Sequence, residues 1–149
     1  MIHFAEIRDS LVDLIKERAG LNLKVYFNHV NDASVDYCQV RLRPSRTDWG
    51  DGWINRDIRV DFQFTLHPNG FAEQHHMDYY EIVDALDLAT LNAVPIADRW
   101  ITIYECSSRI FDGSLTYSFM LSFSDCWDEL PEAERAELMK HLHLDLNGR

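Results

Sequence analysis

Between residues 57 and 66 apolar and polar side chains alternate without a break. Ile58, Val60, Phe62, Phe64 and Leu66 fall on one face of an extended strand; Arg59, Asp61, Gln63 and Thr65 fall on the other. A second stretch of the same quality runs from 115 to 123. There Leu115, Tyr117, Phe119, Leu121 and Phe123 oppose Thr116, Ser118, Met120 and Ser122. A sheet with one dry and one wet face needs a layer over the dry one. The chain supplies it directly after the first strand. His67-Pro68-Asn69-Gly70 is a turn cluster, and residues 72–92 then carry Tyr79, Ile82, Val83, Leu86 and Ala89 at helical spacing.

The weaker signals fill in around this unit. An amphipathic helix is expected over 4–19, with Phe4, Ile7, Leu11, Leu14 and Ile15 along one side and Gly20 as its stop. Strands are expected at 22–30 and 35–43, separated by a turn at 31–34, with Pro44 ending the second. Residues 45–56 are expected to form a long connecting loop. Pro95 should break the chain, a fourth strand should cover 99–106, and 107–114 should be a turn region around Asp112-Gly113. A last helix is expected over 131–146. Pro131 suits its first turn, and Leu138, Met139 and Leu142 give it a narrow apolar stripe. Glu132, Glu134 and Glu137 near its start and Lys140, His141 and His143 near its end complement the helix dipole. The predicted order is α-β-β-β-α-β-β-α. It describes an α+β fold: one two-layer domain over 1–149, core about 3–124, with helices on one face of a mainly antiparallel sheet.

Charge narrows the partners. The chain of 149 residues carries a net charge of −11 and a pI near 4.9. Such a balance disfavours general nucleic-acid binding, which needs phosphate neutralisation by Lys and Arg, and it disfavours anionic membrane surfaces. With no apolar run of membrane-spanning length and no leader pattern, the protein is expected to stay in the cytoplasm. Cys38, Cys106 and Cys126 are widely spaced and odd in number, which fits reduced, partly buried side chains rather than a disulfide framework or a zinc site.

Candidate chemistry is sparse. The best metal grouping is His75-His76 with His29, His67, His141 or His143. Adjacent helical histidines point about 100° apart, so they cannot act as an i, i+4 ligand pair, and solvated histidines are the simpler expectation. The carboxylates Asp48, Asp51, Asp57, Asp61, Asp78, Glu81, Asp84 and Asp87 show no pair set apart as acid and base. Ser107-Ser108 lacks a nucleophile-elbow pattern, and Cys106 at a strand end fits a structural role. No cofactor is expected. Arg41, Arg43, Arg46, Arg56 and Arg59 form the one basic concentration, interleaved with aspartates. Mixed charge of that kind suits either protein docking or plain solubility.

The loop at 45–56, SRTDWGDGWINR, is the most distinctive surface candidate. Trp49 and Trp53, with Arg46, Asp48, Asp51 and Arg56 around them, could form a recognition tip, because tryptophan favours interface cores. They could equally fold back as a lid on the subunit's own core.

Several phrases, taken together, carry a family likeness. They are the first helix ending near Gly20, then "KVYFNHV", "DYCQVRLRPSR", "NRDIRVDFQFTLHP", "YYEIVDALDLAT" and "LTYSFMLSF". Over roughly residues 3–124 the chain resembles the tail terminator (tail completion) proteins of long-tailed bacteriophages and prophages, a group often called minor tail or minor capsid proteins. The resemblance implies a non-enzymatic protein of the virion tail, assembled in the host cytoplasm. It implies a homo-oligomeric ring, typically of six copies in the assembled tail and monomeric or weakly associated when free, that caps the tail tube and meets a head-completion protein. The expected partners are therefore other copies of itself, the tail tube protein and the head-completion protein, with no sequence-specific nucleic acid and no membrane. The last helix is less typical of the group. It leaves open another head–tail connector or minor capsid role, and a small ligand-binding α+β module stands as the alternative class.

Overall fold

The computed structural model describes residues 1–68, 70–71, 77–91 and 93–126. The helix expected at 131–146, the start of the helix expected at 72, and His75, His76, His141 and His143 lie outside the described residues. Two helices and a curled, six-stranded mixed sheet make up the rest. In chain order they are α1 (Phe4–Asp13), β1 (Lys24–Tyr26), β2 (Tyr37–Gly50), β3 (Trp53–Thr65), α2 (Tyr79–Ala89), β4 (Ala93–Ile96), β5 (Arg99–Phe111) and β6 (Ser114–Cys126). Across the sheet the order is β1-β2-β3-β6-β5-β4.

The two alternating stretches pair with each other at the centre. β3 and β6 run antiparallel, with Phe62 opposite Tyr117 and Ile58 opposite Leu121. Ile58, Val60, Phe62, Phe64, Leu115, Phe119 and Leu121 are all fully buried on the dry face. Phe62 meets Phe119 edge-to-face with ring centroids 5.4 Å apart, and each buried side chain of this size contributes about 1.5–3 kcal/mol by leaving water.

Both helices belong to the same core. Ile7, Leu11, Leu14 and Ile15 are fully buried in it, as are Ile82 and Leu86. α1 begins with Glu6 accepting a hydrogen bond from the His3 backbone N–H at 2.7 Å. It widens at its end into a π-helical turn, Leu14–Arg18, where the Ala19 N–H reaches the Leu14 carbonyl at 2.9 Å. That extra residue in the turn coincides with the adjacent buried pair Leu14 and Ile15. α2 is capped by Asp78, whose side chain accepts the Glu81 N–H at 2.9 Å. Its start is tied to the sheet by the Tyr79 hydroxyl, which donates to the Gly113 carbonyl at 2.6 Å and accepts the Leu66 N–H at 3.2 Å.

Four expectations need correction. First, residues 45–56 are not a loop. β2 runs to Gly50 and β3 starts at Trp53, so the segment is a two-stranded arm closed by Asp51-Gly52. Both turn residues have positive φ, 51° and 79°, which is what a tight hairpin of the Asp-Gly type demands. Second, β5 continues through 107–111, and only Asp112-Gly113 turns, again with positive φ at both residues. Third, Pro95 sits inside β4, a strand the alternation did not predict. It is tolerated because β4 is the outermost strand, where a missing N–H leaves no ladder bond unmade. Fourth, β1 is shorter than expected, and it makes one parallel pair, with β2, in the otherwise antiparallel sheet. Among the described residues no helix is long and apolar enough to cross a membrane.

Candidate assembly surface

The β2–β3 arm presents its aromatic pair to solvent. Trp49 is 70% exposed and Trp53 48%, so neither is a lid on the core. Arg46 and Asp48 form an ion pair on the arm at 3.0 Å, with both side chains more than half exposed. Asp51 occupies the turn itself. Five of the six residues expected at this tip, Arg46, Asp48, Trp49, Asp51 and Trp53, therefore cluster at its end.

Arg56 does not join them. Its side chain is only 11% exposed and points to the base of the arm. One N–H donates to the Ile2 carbonyl, and the guanidinium lies over the rings of Phe4 at 4.8 Å and Phe123 at 5.4 Å. Burial pulls its pKa down while Asp125, 3.8 Å away, opposes the shift. Asp125 is itself 1% exposed. It accepts from Arg99 at 2.6 Å and from the Ile2 N–H at 3.3 Å. Arg56, Arg99 and Asp125 thus lock the chain's first residues onto the last strand. The alternating stretch expected over 115–123 stops short of Asp125. Extending the period-two count by one step from Phe123 would have placed it on the dry face.

The wet face is an ordered polar network. Arg43 bridges Asp61 at 3.0 Å, Asp61 also accepts from Ser118, Asp57 accepts from Ser122 at 2.7 Å, and Arg59 approaches Glu105 at 3.4 Å. Much of the basic concentration seen in the sequence is thereby neutralised by aspartates and glutamate within the chain.

One chemistry-bearing cluster escaped the sequence reading. The Tyr117 hydroxyl donates to Asp87 at 2.7 Å and lies 3.1 Å from the Thr90 hydroxyl, which itself donates to the Leu86 carbonyl at 2.8 Å. Cys106 sits close enough for its titration to feel Asp87 and Tyr117. Burial, then Asp87, pushes the Cys106 thiol up, and burial pushes the Tyr117 phenol well up. Buried Cys38 is raised by burial as well. These shifts keep the groups protonated at neutral pH, the reverse of what activates a thiolate nucleophile. The cluster ties the end of α2 to the centre of the sheet. Among the described residues no group of His, Cys, Asp and Glu is placed to hold a metal ion.

Other apolar surface lies at the opposite side of the sheet. Trp100, Tyr104, Ile110 and Phe111 on β5 and Leu88 and Leu91 at the end of α2 are all exposed.

No family model matches the chain, and no curated protein is significantly similar to it. Among solved structures, one protein without a descriptive name aligns at 15% identity with a TM-score of 0.39, covering 85% of this chain and 96% of that one.

Proposed function

We propose that this chain is a non-enzymatic structural protein of a bacteriophage or prophage tail, a terminator that closes the tail tube as a ring and offers a joining surface to the head. The two-layer arrangement of helices over a sheet belongs to this reading, as does a ring of six copies with the tail tube protein on one side and the head-completion protein on the other. One observation carries it: two tryptophans with a charged rim stand exposed at the end of a two-stranded arm. Large apolar surface of that kind, held away from the core, is what a subunit contact uses. The net charge of −11 adds support, since an acidic ring surrounds DNA without gripping it.

Electron microscopy of isolated tails carrying a labelled copy of the protein tests the assignment. Label at the head-proximal end is the expected result; tails that lack it there reject the reading. A ligand-dependent change in tryptophan fluorescence at micromolar concentration would instead favour a small-molecule binding module.

A further inference from the structure

Among the described residues both flanks of the central four strands are open, over different stretches. β1 covers the outer side of β2 only along Tyr37–Gln39, so 40–50 has no strand on that side among the described residues. β4 covers β5 only along 99–102, which leaves 103–111 open in the same way. Open edges of this length template pairing with another chain, and proteins usually blunt them with charge or cover. Here exposed Tyr104, Ile110 and Phe111 line one edge and exposed Trp49 the other.

Strand direction admits a neighbour in the same orientation. β2 with β3, β3 with β6, and β6 with β5 are each antiparallel, so β2 and β5 run in opposite senses. A second copy set beside the first in the same orientation brings its β2 antiparallel to the first copy's β5, and the alternation continues across the seam. We propose that the 103–111 edge of one copy pairs with the 40–50 edge of the next, joining sheets head to tail. This deepens the terminator reading and rests on it for the closure of the ring; the contact itself is heterologous, the type that generates rings when its rotation closes.

The covered ends fix the register. Within one chain Ile103 is level with Leu121, Ile58 and Pro44. Unshifted, the neighbour's β1 would collide with the end of β5. Sliding the neighbour by about five or six residues clears both β1 and β4, and brings Phe111 opposite Leu42, Ile103 opposite Gly50, and Cys106 beside Thr47. At about 3.3 Å per residue, across four strands about 4.8 Å apart, that slide is a strand tilt of about 45°, at the upper end of the range found where sheets close. Charge on the two edges is mixed: 40–50 carries Arg41, Arg43 and Arg46 with Asp48, 103–111 carries Glu105 and Arg109, and in this register Asp112 at the β5 tip falls opposite Arg41.

The full chain with Thr47→Cys, treated with a short bismaleimide at high concentration, tests the pairing. Cys106 is the exposed native cysteine among the described residues. The expected product is a ladder of dimer, trimer and higher species that disappears when Cys106→Ser is added. Dimers that persist in the double variant mean β2-to-β2 pairing and overturn the proposal, as does a Thr47→Cys chain that gives no ladder at high concentration. Arg109→Pro and Ile110→Pro give a second arm. Adjacent strand residues direct their N–H groups to opposite sides, so one substitution breaks the β6 ladder and the other only the open edge. The edge-directed one should keep the wild-type Tm and weaken association roughly tenfold or more; unchanged association in it overturns the proposal. Cross-linked ladders from a protein absent from tails would reject the terminator reading and leave the edge pairing standing.

Discussion

Asp125 and Trp49 mark opposite extremes of what one residue can do here. Asp125 is buried between Arg56 and Arg99 and receives the Ile2 N–H. Asp125→Ala leaves Arg56 charged and largely enclosed without its counter-ion. The expected loss is about 3–5 kcal/mol, read as a fall in denaturant midpoint at unchanged m-value. Trp49 and Trp53 make the reverse case. Each is substantially exposed, so Trp49→Ala or Trp53→Ala should change stability by no more than about 0.5 kcal/mol. The same truncations should weaken assembly by about 2 kcal/mol per contact, as removal of an interface anchor does. Thermal melts and sedimentation on the same samples separate the two effects. A large drop in Tm with normal assembly would mean the tryptophans serve the fold.

At the scale of elements, β3 and β6 were legible because every second residue is buried, and α2 because Ile82, Leu86 and Ala89 face the core at helical spacing. The arm was not. Residues 43–50 of β2 are exposed on both faces, so burial imposes no alternation there, and only Asp-Gly at 51–52 signals the hairpin. β4 is short and holds a proline, and the parallel partner of β2 depends on tertiary placement that no local pattern encodes. The open edges were invisible for the same reason: they are a property of what does not pair. The polar tether from α2 to the sheet makes an alkaline prediction. Cys38, Cys106 and Tyr117 all have folded pKa values raised above ordinary values of 9.0, 9.0 and 10.0. An acid raised in the fold stabilises fully below its unfolded pKa, and that contribution is lost as pH rises toward the folded one. Stability should therefore hold to about pH 8 and fall progressively above 9–10. Urea titrations across that range should show a smaller decline in Tyr117→Phe than in the wild type, after correction for its starting stability.

For the whole molecule, charge decides more than shape. With 25 acidic and 14 basic residues, several of the arginines already paired with carboxylates, phosphate contacts would have to be made against a repulsive field. A labelled duplex should show no anisotropy change with micromolar protein even at about 50 mM salt, where basic proteins bind hardest. Binding that weakens steeply with added salt would contradict this and point to a basic surface outside the described residues.

The central pairing of β3 with β6 also sets a timetable for synthesis. β3 and β2 can zip into a hairpin early, yet the inner flank of β3 has no partner until the last of the six strands has been made. The lock on Ile2 spans 123 positions and closes only as the far end of that strand emerges, at residue 125. Contacts so distant along the chain form slowly and leave the growing chain exposed meanwhile. The molecule should therefore mature in a single late step rather than piece by piece. A fragment ending at Gly113 should remain as protease-sensitive as an unfolded chain, whereas one ending just beyond Cys126 should resist digestion.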